Sequence, residues 1–586
     1  MPSSLVVLIG NEKLDVCSKT LGHYVVHFVL LQIQKSWAIY FLIAFFMSTE
    51  SELIARIREL ETELKKTKKS KRYGLVWEDK PEDIVERCKD ELPVLIEDTT
   101  KRILEWWDDL MHILIEWDNY HALSVLAYTH EKKIDVIYID PPYNTGNKDF
   151  SYNDNYVDKE DSFRHSKWVS FMESRLVIAK SLLKESWVIF ISIDDNEQAQ
   201  LKILCDDIFW ENCHIGSLVW RRRASSNLAE KMLSTDHEYV HCYGKDRFKF
   251  IWLVKNFDKY SNPDDDARWP WIAGDLTVGM GKDLRPNQFY SLIDPKTNIS
   301  YPANPNRVWA YAPSSMERII LEERVIFPSD PKKRPMLKRF QNELKTDTNP
   351  VSTWLTDVWL NSEASREIQN MFGENVFQYW KPKSLLKYLI KTSAHQDSII
   401  LDFFAWSGTT CHAVLELNKE DGGKRQCILV TNNENQIAEE VTYPRIRNVI
   451  SGYADVEAIS ANLRYYRTDF IWVDKSIDDL RSKFMGRCTE MLQIRENCFR
   501  EIAHEWASEY FQIFENSGTI LAILYHPYEI EKLKKFAEGR DTTIIVYIFS
   551  MGWEIFEEEL AHLSDRIRIE TIPDEILETY KKIFGF

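Results

Sequence analysis

An acid, two prolines and a tyrosine directly follow an apolar run, as Asp140, Pro141, Pro142 and Tyr143. Residues 136–139 have the composition of a buried strand, and the prolines predict a rigid turn after it, because their rings lock φ and remove two backbone donors. Ligands of open α/β sheets bind at the carboxyl ends of the strands. A carboxylate and free carbonyls beside a flat ring suit a planar molecule with an exocyclic amine. An adenine extruded from DNA is such a molecule.

A second run, residues 398–417, has the pattern of a strand, a tight loop and a helix. The free backbone N–H groups at the start of such a helix point towards a bound ligand, so this pattern is typical of a nucleotide-type cradle. Gly408 lies in the loop, where the backbone has to approach the ligand closely. The sequence therefore predicts a cofactor loop over residues 402–409.

These two motifs resemble those of DNA amino-methyltransferases. The string DPPYNTGNKDF, which begins at Asp140, resembles the N6-adenine form of the catalytic motif and looks like that of type III restriction–modification system modification subunits. LDFFAWSGTT, residues 401–410, resembles the family's S-adenosylmethionine loop. The catalytic motif precedes the cofactor loop, as in the β-class of these enzymes. The resemblance covers residues 75–455 and implies an α/β fold with a doubly wound, Rossmann-like methyltransferase sheet.

The resemblance also implies the reaction and the residues that serve it. S-adenosylmethionine is the expected cofactor, and N6 of an adenine flipped out of double-stranded DNA is the expected methyl acceptor. Asp140 and Pro141 accept hydrogen bonds from the adenine amine, and Tyr143 stacks on the base. No metal is expected, since the cofactor's sulfonium is already a reactive group. The expected cofactor-binding residues are Asp118, Lys381, Pro382, Ser384, Asp402, Phe404, Ala405, Trp406, Ser407, Gly408, Thr409 and Glu434.

Some of these residues also have plain structural interpretations. Asp118 is equally well placed to cap the helix predicted from Tyr120 onwards. Pro382 is also typical of an ordinary helix start. Asn432 and Asn433 compete with Glu434 for the cofactor's ribose hydroxyls.

The chain departs from the family pattern at glycines. Trp406 replaces the middle glycine of Phe-x-Gly-x-Gly, and Trp117, Trp187, Trp210 and Trp269 stand where glycine is expected. The chain has 19 Gly and 20 Trp, whereas average usage predicts roughly 41 Gly. An enzyme in decay is one explanation, and a UGA codon that the source reads as glycine is the other. The second is favoured because decay would introduce many residue types. We therefore expect Trp406 to hinder cofactor binding, and the joint reversion of Trp117, Trp187 and Trp210 to glycine to raise stability.

Composition limits which kinds of protein and which kinds of site the chain can contain. The 586 residues are 44% hydrophobic and 28% charged, as in a globular protein, and the net charge of −17 restricts DNA contacts to local basic runs such as 65–72, 221–223 and 332–334. The nine cysteines form no Cys-x-x-Cys pair, so neither a zinc site nor a disulfide framework is indicated and a cytoplasmic location is expected. His165 and His412 have no partner at metal-ligand spacing and are interpreted as helix residues. Asp194, Asp195 and Glu197 are interpreted as structural.

The predicted organisation has six parts. The apolar stretch within residues 1–46 is too short to span a bilayer. These residues are therefore interpreted as an extension upstream of a true start at Met47, and a membrane anchor is the alternative. The other parts are an N-terminal helix with a possible dimer contact (47–74), the catalytic half (75–214), an inserted target recognition domain (215–370), the S-adenosylmethionine-binding half (371–460) and a small C-terminal α/β domain (461–586).

The resemblance implies a second copy and an ATP-dependent restriction subunit as partners, and no membrane. A stand-alone adenine methyltransferase is the first alternative. A protein that only binds DNA, because Trp406 blocks the cofactor, is the second.

Overall fold

The computed structural model describes residues 77–585 except 79, 105–109, 148, 154, 225–232, 357, 359, 374–379, 474–476, 506, 539 and 550–565. The predicted N-terminal extension (1–46), the helix with its dimer contact (47–74) and the basic run 65–72 lie outside the described residues. Among the described residues, no helix combines the length and the apolar character that crossing a membrane requires.

The described helices are α1 (Asp83–Arg87), α2 (Asn119–Thr129), α3 (Arg164–Leu182), α4 (Gln198–Phe209), α5 (Pro313–Leu321), α6 (Asn361–Phe372), α7 (Lys383–Ser393), α8 (Thr409–Asp421), α9 (Tyr443–Ser451), α10 (Ile477–Phe484), α11 (Thr489–Glu496), α12 (Ile530–Ala537) and α13 (Asp574–Phe584). The described strands are β1 (Glu91–Glu97), β2 (Ile103–Leu104), β3 (Met111–Glu116), β4 (Ile134–Ile139), β5 (Ser151–Tyr152), β6 (Asn155–Tyr156), β7 (Leu183–Ile193), β8 (His214–Arg221), β9 (His237–Gly244), β10 (Leu253–Val254), β11 (Trp271–Asp275), β12 (Leu292–Ile293), β13 (Ser300–Tyr301), β14 (Val325–Ile326), β15 (Met336–Phe340), β16 (Thr348–Asn349), β17 (Trp354–Leu355), β18 (Ile399–Asp402), β19 (Gln426–Thr431), β20 (Asn462–Trp472), β21 (Arg500–Glu501), β22 (Phe511–Glu515), β23 (Thr519–Leu524), β24 (Thr543–Phe549) and β25 (Ile567–Ile572).

One large sheet holds the described part of the chain together. Its strand order is β1-β20-β3-β19-β18-β4-β7-β9-β8-β17, with β2 beside β20. The strands from β20 to β7 run parallel to one another, and β9 runs antiparallel to both of its neighbours. The central strands are rich in β-branched residues and buried along almost their whole length, as expected for a parallel sheet covered on both faces. This architecture confirms the predicted α/β, doubly wound Rossmann-like fold.

The two halves of the chain interleave within this sheet. The first half supplies β3 and β4, and the later strands β19 and β18 fill the space between them. β18 pairs with β4 in parallel, with Ile400 opposite Val136 and Leu401 opposite Ile137. The turn after β4 and the loop after β18 therefore emerge side by side.

The catalytic sheet extends further along the chain than predicted. β8 and β9 pair with each other, and β9 pairs with β7, so the sheet continues to Gly244 beyond the predicted boundary at residue 215. The short strand β17 also joins this sheet through β8. The physical reason is edge pairing: β9 satisfies the free backbone groups of β7, which would otherwise be an open edge.

The inserted segment leaves and re-enters the sheet region through a neck formed by β10 and β16. Leu253 pairs with Asn349 and Val254 with Thr348 in antiparallel register. Between these strands lie the β11-β15-β14 sheet, the β12-β13 hairpin and helix α5. They enclose a separate hydrophobic core of Leu276, Leu292, Tyr301, Trp309, Met316, Ile319 and Leu337.

The C-terminal part contributes one strand to the main sheet and forms a second sheet. β20 pairs with β1 and β3, so residues 462–472 belong to the main sheet and not to the predicted C-terminal domain. The second sheet has the order β21-β22-β23-β24-β25 and a core of its own. Its strands β23, β24 and β25 run parallel to one another.

Candidate active site

A cavity of about 820 Å³ lies at the carboxyl ends of the central parallel strands. Its size falls within the range usual for small-molecule sites. Each central strand contributes residues from the segment that follows it: Asp118 after β3, Glu434 after β19, Phe404 and Trp406 after β18, and Asp140 after β4. This is the edge of an open α/β sheet at which ligands bind.

The turn after β4 brings all four predicted catalytic residues, Asp140 to Tyr143, to the cavity wall. The buried Trp168 supports the turn from α3, where its Nε1 donates a hydrogen bond to the Pro142 carbonyl at 2.7 Å. Asn144 follows at φ 55°, and its amide donates to Glu197 Oε1 at 2.6 Å. The motif is thus a rigid turn anchored from behind.

Lys381 reaches into this turn from the segment before α7. Its Nζ lies 3.0 Å from Asp140 Oδ1. The same Nζ donates hydrogen bonds to the Tyr143 hydroxyl at 2.6 Å and to Glu238 Oε2 at 3.0 Å. Glu238, on β9, also accepts from Arg222 Nη1 at 2.9 Å. Two cations and two carboxylates therefore alternate across the back of the catalytic turn.

The pKa values of these groups follow from their burial and their partners. Burial raises the pKa of Asp140, and the Lys381 ammonium opposes that rise. Burial alone would lower the pKa of Lys381, but the carboxylates of Asp140 and Glu238 raise it above its ordinary value. Burial works to raise the pKa of Glu238, yet Lys381 and Arg222 hold it below its ordinary value. Both Lys381 and Glu238 are therefore charged at neutral pH.

Asp402 organises the loop after β18 from behind the cavity wall. Its buried carboxylate accepts hydrogen bonds from the Phe404 backbone N–H at 3.0 Å and from Thr410 Oγ1 at 2.5 Å. Burial raises its pKa to about 7. Gly408, at φ 72°, begins helix α8, and its left-handed conformation explains why glycine is needed there.

Ser407 and Thr409 turn towards a buried arginine. Arg445 Nη1 donates to Thr409 Oγ1 at 2.7 Å and to Ser407 Oγ at 3.3 Å. Among the predicted cofactor residues, the cavity wall contains Asp118, Lys381, Phe404, Trp406 and Glu434. The wall does not contain Pro382, Ser384, Asp402, Ala405, Ser407, Gly408 or Thr409, all of which the structure describes.

Trp406, within the predicted cofactor loop, contacts the catalytic turn. Its Nε1 donates a hydrogen bond to the Asp140 carbonyl at 2.7 Å. Its ring packs beside a cluster that includes Trp380 and Val441. Its φ is 44°, in the left-handed region where a bulky residue is an outlier. Trp210 has a φ of 72° and a ψ of 140°, a conformation almost restricted to glycine, so the backbone suits glycine at both positions.

Asp118 both caps a helix and lines the cavity, the two alternatives that the sequence left open. Its carboxylate accepts from the Tyr120 backbone N–H at 2.8 Å and so caps α2, and it also lines the cavity. The fully buried Arg175 holds it at 3.2 Å and donates to both oxygens of Glu82, at 2.8 and 2.9 Å. Glu82 to Ile84 form another part of the wall.

Sequence reasoning missed Glu82, Arg175 and Glu238, and it assigned Arg222 only to a basic run for DNA contacts. Glu82 is 93 residues from Arg175 and Glu238 is 143 residues from Lys381, and no local motif marks these pairs. The one available signal was a charged residue inside an otherwise apolar helix or strand, as for Arg175 and Glu238.

The histidines lie in polar networks. His165 Nδ1 is 2.7 Å from Glu197 Oε1. His412 lies beside Glu367 and Glu416, the one group with metal-ligand geometry among the described residues. This corrects the expectation that His412 lacks suitable partners. Lys383 already contacts all three side chains, so a cation occupies the centre of that group.

Residues 134–442 match the family model described as DNA methylase. The match spans more than half of the chain and contains both the turn after β4 and the loop after β18. The chain therefore belongs to the DNA methylase family. This confirms the family predicted from the sequence, whose reaction is methyl transfer from S-adenosylmethionine to DNA.

The most similar relatives include Mod subunits of type III restriction–modification enzymes. The chain is 33% identical over 387 residues to the StyLTI Mod subunit of Salmonella typhimurium, covering 61% of this chain and 58% of that protein. It is 30% identical over 511 residues to the EcoPI Mod subunit of Escherichia phage P1, covering 75% and 76%. The type II methyltransferase M.KpnI of Klebsiella pneumoniae is 30% identical over 384 residues, covering 60% of this chain and 86% of that enzyme.

Proposed function

We propose that this chain transfers a methyl group from S-adenosylmethionine to N6 of an adenine flipped out of double-stranded DNA. The observation that carries the proposal is the meeting of Asp140, Pro141 and Tyr143 with the loop after β18 at one cavity. That arrangement offers acceptors for an exocyclic amine, a ring for stacking and a cradle for a nucleotide-type cofactor within one site.

The cofactor's place follows from the order of the strands. β3, β19, β18 and β4 are consecutive in the sheet, so the segments after β3 and β4 are roughly 14 Å apart at three strand spacings. With the reacting amine at Asp140, an extended cofactor would have its adenosine end near Asp118, Phe404 and Glu434 and its sulfonium end near Asp140. Glu434 is suited to ribose hydroxyls, and Phe404 and Phe171 offer rings to the adenine.

At the reacting end, the protein's task is to position the amine. The Asp140 carboxylate and the Pro141 carbonyl accept its two N–H groups, which aims the nitrogen lone pair at the methyl group. The bound cofactor supplies the sulfonium from which the methyl group departs. The ionised Asp140 carboxylate is a stronger acceptor than the neutral acid, and the Lys381 ammonium favours the ionised form. One residue does not fit this arrangement: the Trp406 indole lies at the sulfonium end.

An Asp140→Ala variant tests the chemical assignment. We expect its methylation rate to fall by about 10²-fold or more, because the amine is no longer held in position for attack, with DNA affinity nearly unchanged because phosphate contacts remain. Asp135→Ala is the matched control, since Asp135 lies in the same strand at the opposite end and pairs with Lys184. Unmethylated plasmid DNA, labelled S-adenosylmethionine and nucleoside analysis by mass spectrometry measure the product.

The assay runs on the chain as it stands and on its Trp406→Gly form. Methylcytosine in place of N6-methyladenine would contradict the adenine assignment. Retained methylation by Asp140→Ala would contradict the catalytic role of Asp140.

We further propose that the chain is the modification and recognition subunit of a type III restriction–modification system. The support is its similarity to Mod subunits over most of its length. The partners are then a second copy, an ATP-dependent restriction subunit and DNA, and the location is cytoplasmic. The segment beyond the neck, with its separate core, serves as the target recognition domain. Light scattering of the purified chain, alone and with the product of a neighbouring helicase–nuclease gene, tests this assembly.

A stand-alone methyltransferase is the second candidate. The specific observation in its favour is the match to M.KpnI, which covers 86% of that enzyme. Absence of a helicase–nuclease gene beside this one would favour the stand-alone form.

A further inference from the structure

A row of alternating charges connects the far strands of the sheet to the catalytic turn. Arg222 directly follows β8, Glu238 lies on β9, Lys381 precedes α7 and Asp140 directly follows β4. The charged groups of successive residues in the row are 2.9, 3.0 and 3.0 Å apart. Two of these four residues, Arg222 and Glu238, are neither in the catalytic motif nor among the expected cofactor-binding residues.

The Lys381 ammonium has three oxygen neighbours in this row. It donates hydrogen bonds to Glu238 Oε2 and the Tyr143 hydroxyl, and it forms an ion pair with Asp140 Oδ1 at 3.0 Å. The Tyr143 hydroxyl in turn donates to Glu238 Oε2 at 3.1 Å. One carboxylate oxygen therefore fixes both the lysine and the tyrosine.

Glu238 is buried and is held by Arg222 on the side away from Lys381. Its side chain is 2% exposed, and a carboxylate that deep is costly unless it is paired. Arg222 pairs with Oε1 alone, which leaves Oε2 for the catalytic turn. Neutralising Arg222 requires only Oε1, so the contacts of Oε2 with Lys381 and Tyr143 indicate a second role for Glu238.

We propose that Glu238, held by Arg222, is a positioning residue for methyl transfer: it fixes the Lys381 ammonium against Asp140 and Tyr143, so that the base pocket is formed before the base arrives. The proposal rests on the proposed methyltransferase function. Glu238 touches neither base nor cofactor in this role and acts through Lys381. The row also ties β9 to the segment before α7, two parts of the chain that are 143 residues apart.

The first test measures Lys381 directly and needs no enzymatic activity. The full chain is acylated with a trace of acetic anhydride, and peptide mass spectrometry gives the rate at Lys381 relative to Lys296, whose side chain is 79% exposed. Glu238→Gln should speed acylation of Lys381 about tenfold, the effect of losing one charge-assisted hydrogen bond. The amine is then less restrained and more readily deprotonated.

Glu116→Gln is the matched control. Glu116 is also buried and ends a strand of the same sheet, and it accepts from the Tyr465 hydroxyl at 2.6 Å and from Arg467 Nε at 2.9 Å. It does not line the cavity. Its variant should leave Lys381 acylation unchanged. Glu238→Asp, which keeps the buried charge, should give an intermediate rate and serves if Glu238→Gln does not fold, as judged by thermal melts.

The second test is a double-mutant cycle on the single-turnover rate of methyl transfer. Glu238→Gln and Lys381→Met should each slow the reaction by about tenfold to a hundredfold, and S-adenosylmethionine affinity should change less than threefold in Glu238→Gln. Because Glu238 acts through Lys381, the double variant should be no slower than Lys381→Met alone.

Two outcomes would overturn the proposal: unchanged acylation of Lys381 in both Glu238 variants, or additive losses of rate in the cycle. A parent chain that methylates no DNA, also as Trp406→Gly, would refute the proposed function instead. The acylation result would still decide whether Glu238 positions Lys381.

Discussion

Replacing Trp406 with glycine should turn a weak cofactor site into a tight one. In the structure the indole hydrogen-bonds the Asp140 carbonyl at 2.7 Å and packs beside Trp380. A cofactor whose sulfonium faces Asp140 must displace that ring. The protein then loses a hydrogen bond of about 1 kcal/mol and roughly 100 Å² of apolar contact, about half of an indole, worth about 2.5 kcal/mol.

These two losses total about 3–4 kcal/mol, which corresponds to a dissociation constant raised by about 10²–10³-fold. Trp406→Gly removes the cost, so we expect S-adenosylmethionine to bind about 10²–10³-fold more tightly. Glycine also relieves the left-handed backbone at φ 44°, but it forfeits the packing of the ring. The melting temperature should therefore change little, and the gain in binding should be local.

Calorimetric titration of S-adenosylmethionine into both forms measures the change. Trp210→Gly is the control, because Trp210 also has a positive φ but does not line the cavity. It should leave the affinity unchanged. Tight binding by the parent, not improved by Trp406→Gly, would refute the steric argument and weaken the explanation by a glycine codon. The gene's codons at these positions test that explanation independently.

The structure supports three further predictions. Replacing residues 257–345 beyond the neck with a short Gly-Ser turn should abolish the preference for a DNA sequence, because base contacts are lost. S-adenosylmethionine affinity should stay within about threefold, since the catalytic sheet is unchanged. Unchanged selectivity in methylation mapping would place DNA recognition elsewhere in the chain. Trp210→Gly should raise the free energy of unfolding by about 1 kcal/mol, because it relieves a strained exposed residue. Trp187→Gly should lower it by about 3–5 kcal/mol, because Trp187 is buried against Phe209; urea melts of the two variants would contradict this reasoning if they shifted in the same direction. Burial raises the pKa of Glu197 from 4.5 to about 8. The stability that its protonated carboxyl contributes is therefore full below pH 4.5 and is lost as pH rises through 8, at up to about 1.4 kcal/mol per pH unit. Glu197→Gln should make the free energy of unfolding depend less on pH, and equal pH dependence of the two proteins in urea melts from about pH 5 to 8 would contradict this prediction.

Local patterns explain what the sequence predicted well. Strand β4 is marked by the apolar run at residues 136–139, which ends at turn residues, and the motifs after β4 and β18 are contiguous. Because parallel strands present their carboxyl ends at one edge, residues in two distant motifs could be expected to meet there. The cofactor loop and the catalytic turn do lie side by side, as the pairing of β18 with β4 requires.

Contacts between residues far apart in the chain could not be predicted from the sequence. The pairing of Lys381 with Glu238 joins residues 143 positions apart, and neither segment contains a signal for the other. The same holds for Arg175 with Glu82, 93 positions apart. The catalytic sheet continues past the boundary predicted at 215, because β9 pairs with the edge of β7 and β8 pairs with β9. The gain in stability expected from glycine at positions 117, 187 and 210 together stays a prediction, and the burial of Trp187 could not be inferred from a motif.

The neck has a consequence for how such proteins diversify. The inserted segment departs at β10 and returns at β16, where the two strands are paired, so its ends lie within one strand spacing of each other. Its hydrophobic core is separate from that of the catalytic sheet. A gene segment encoding this insert can therefore be exchanged by recombination in a single step without repacking the catalytic centre. With the recognition role proposed for the insert, such an exchange would change the DNA sequence that is methylated and leave the catalytic residues unchanged.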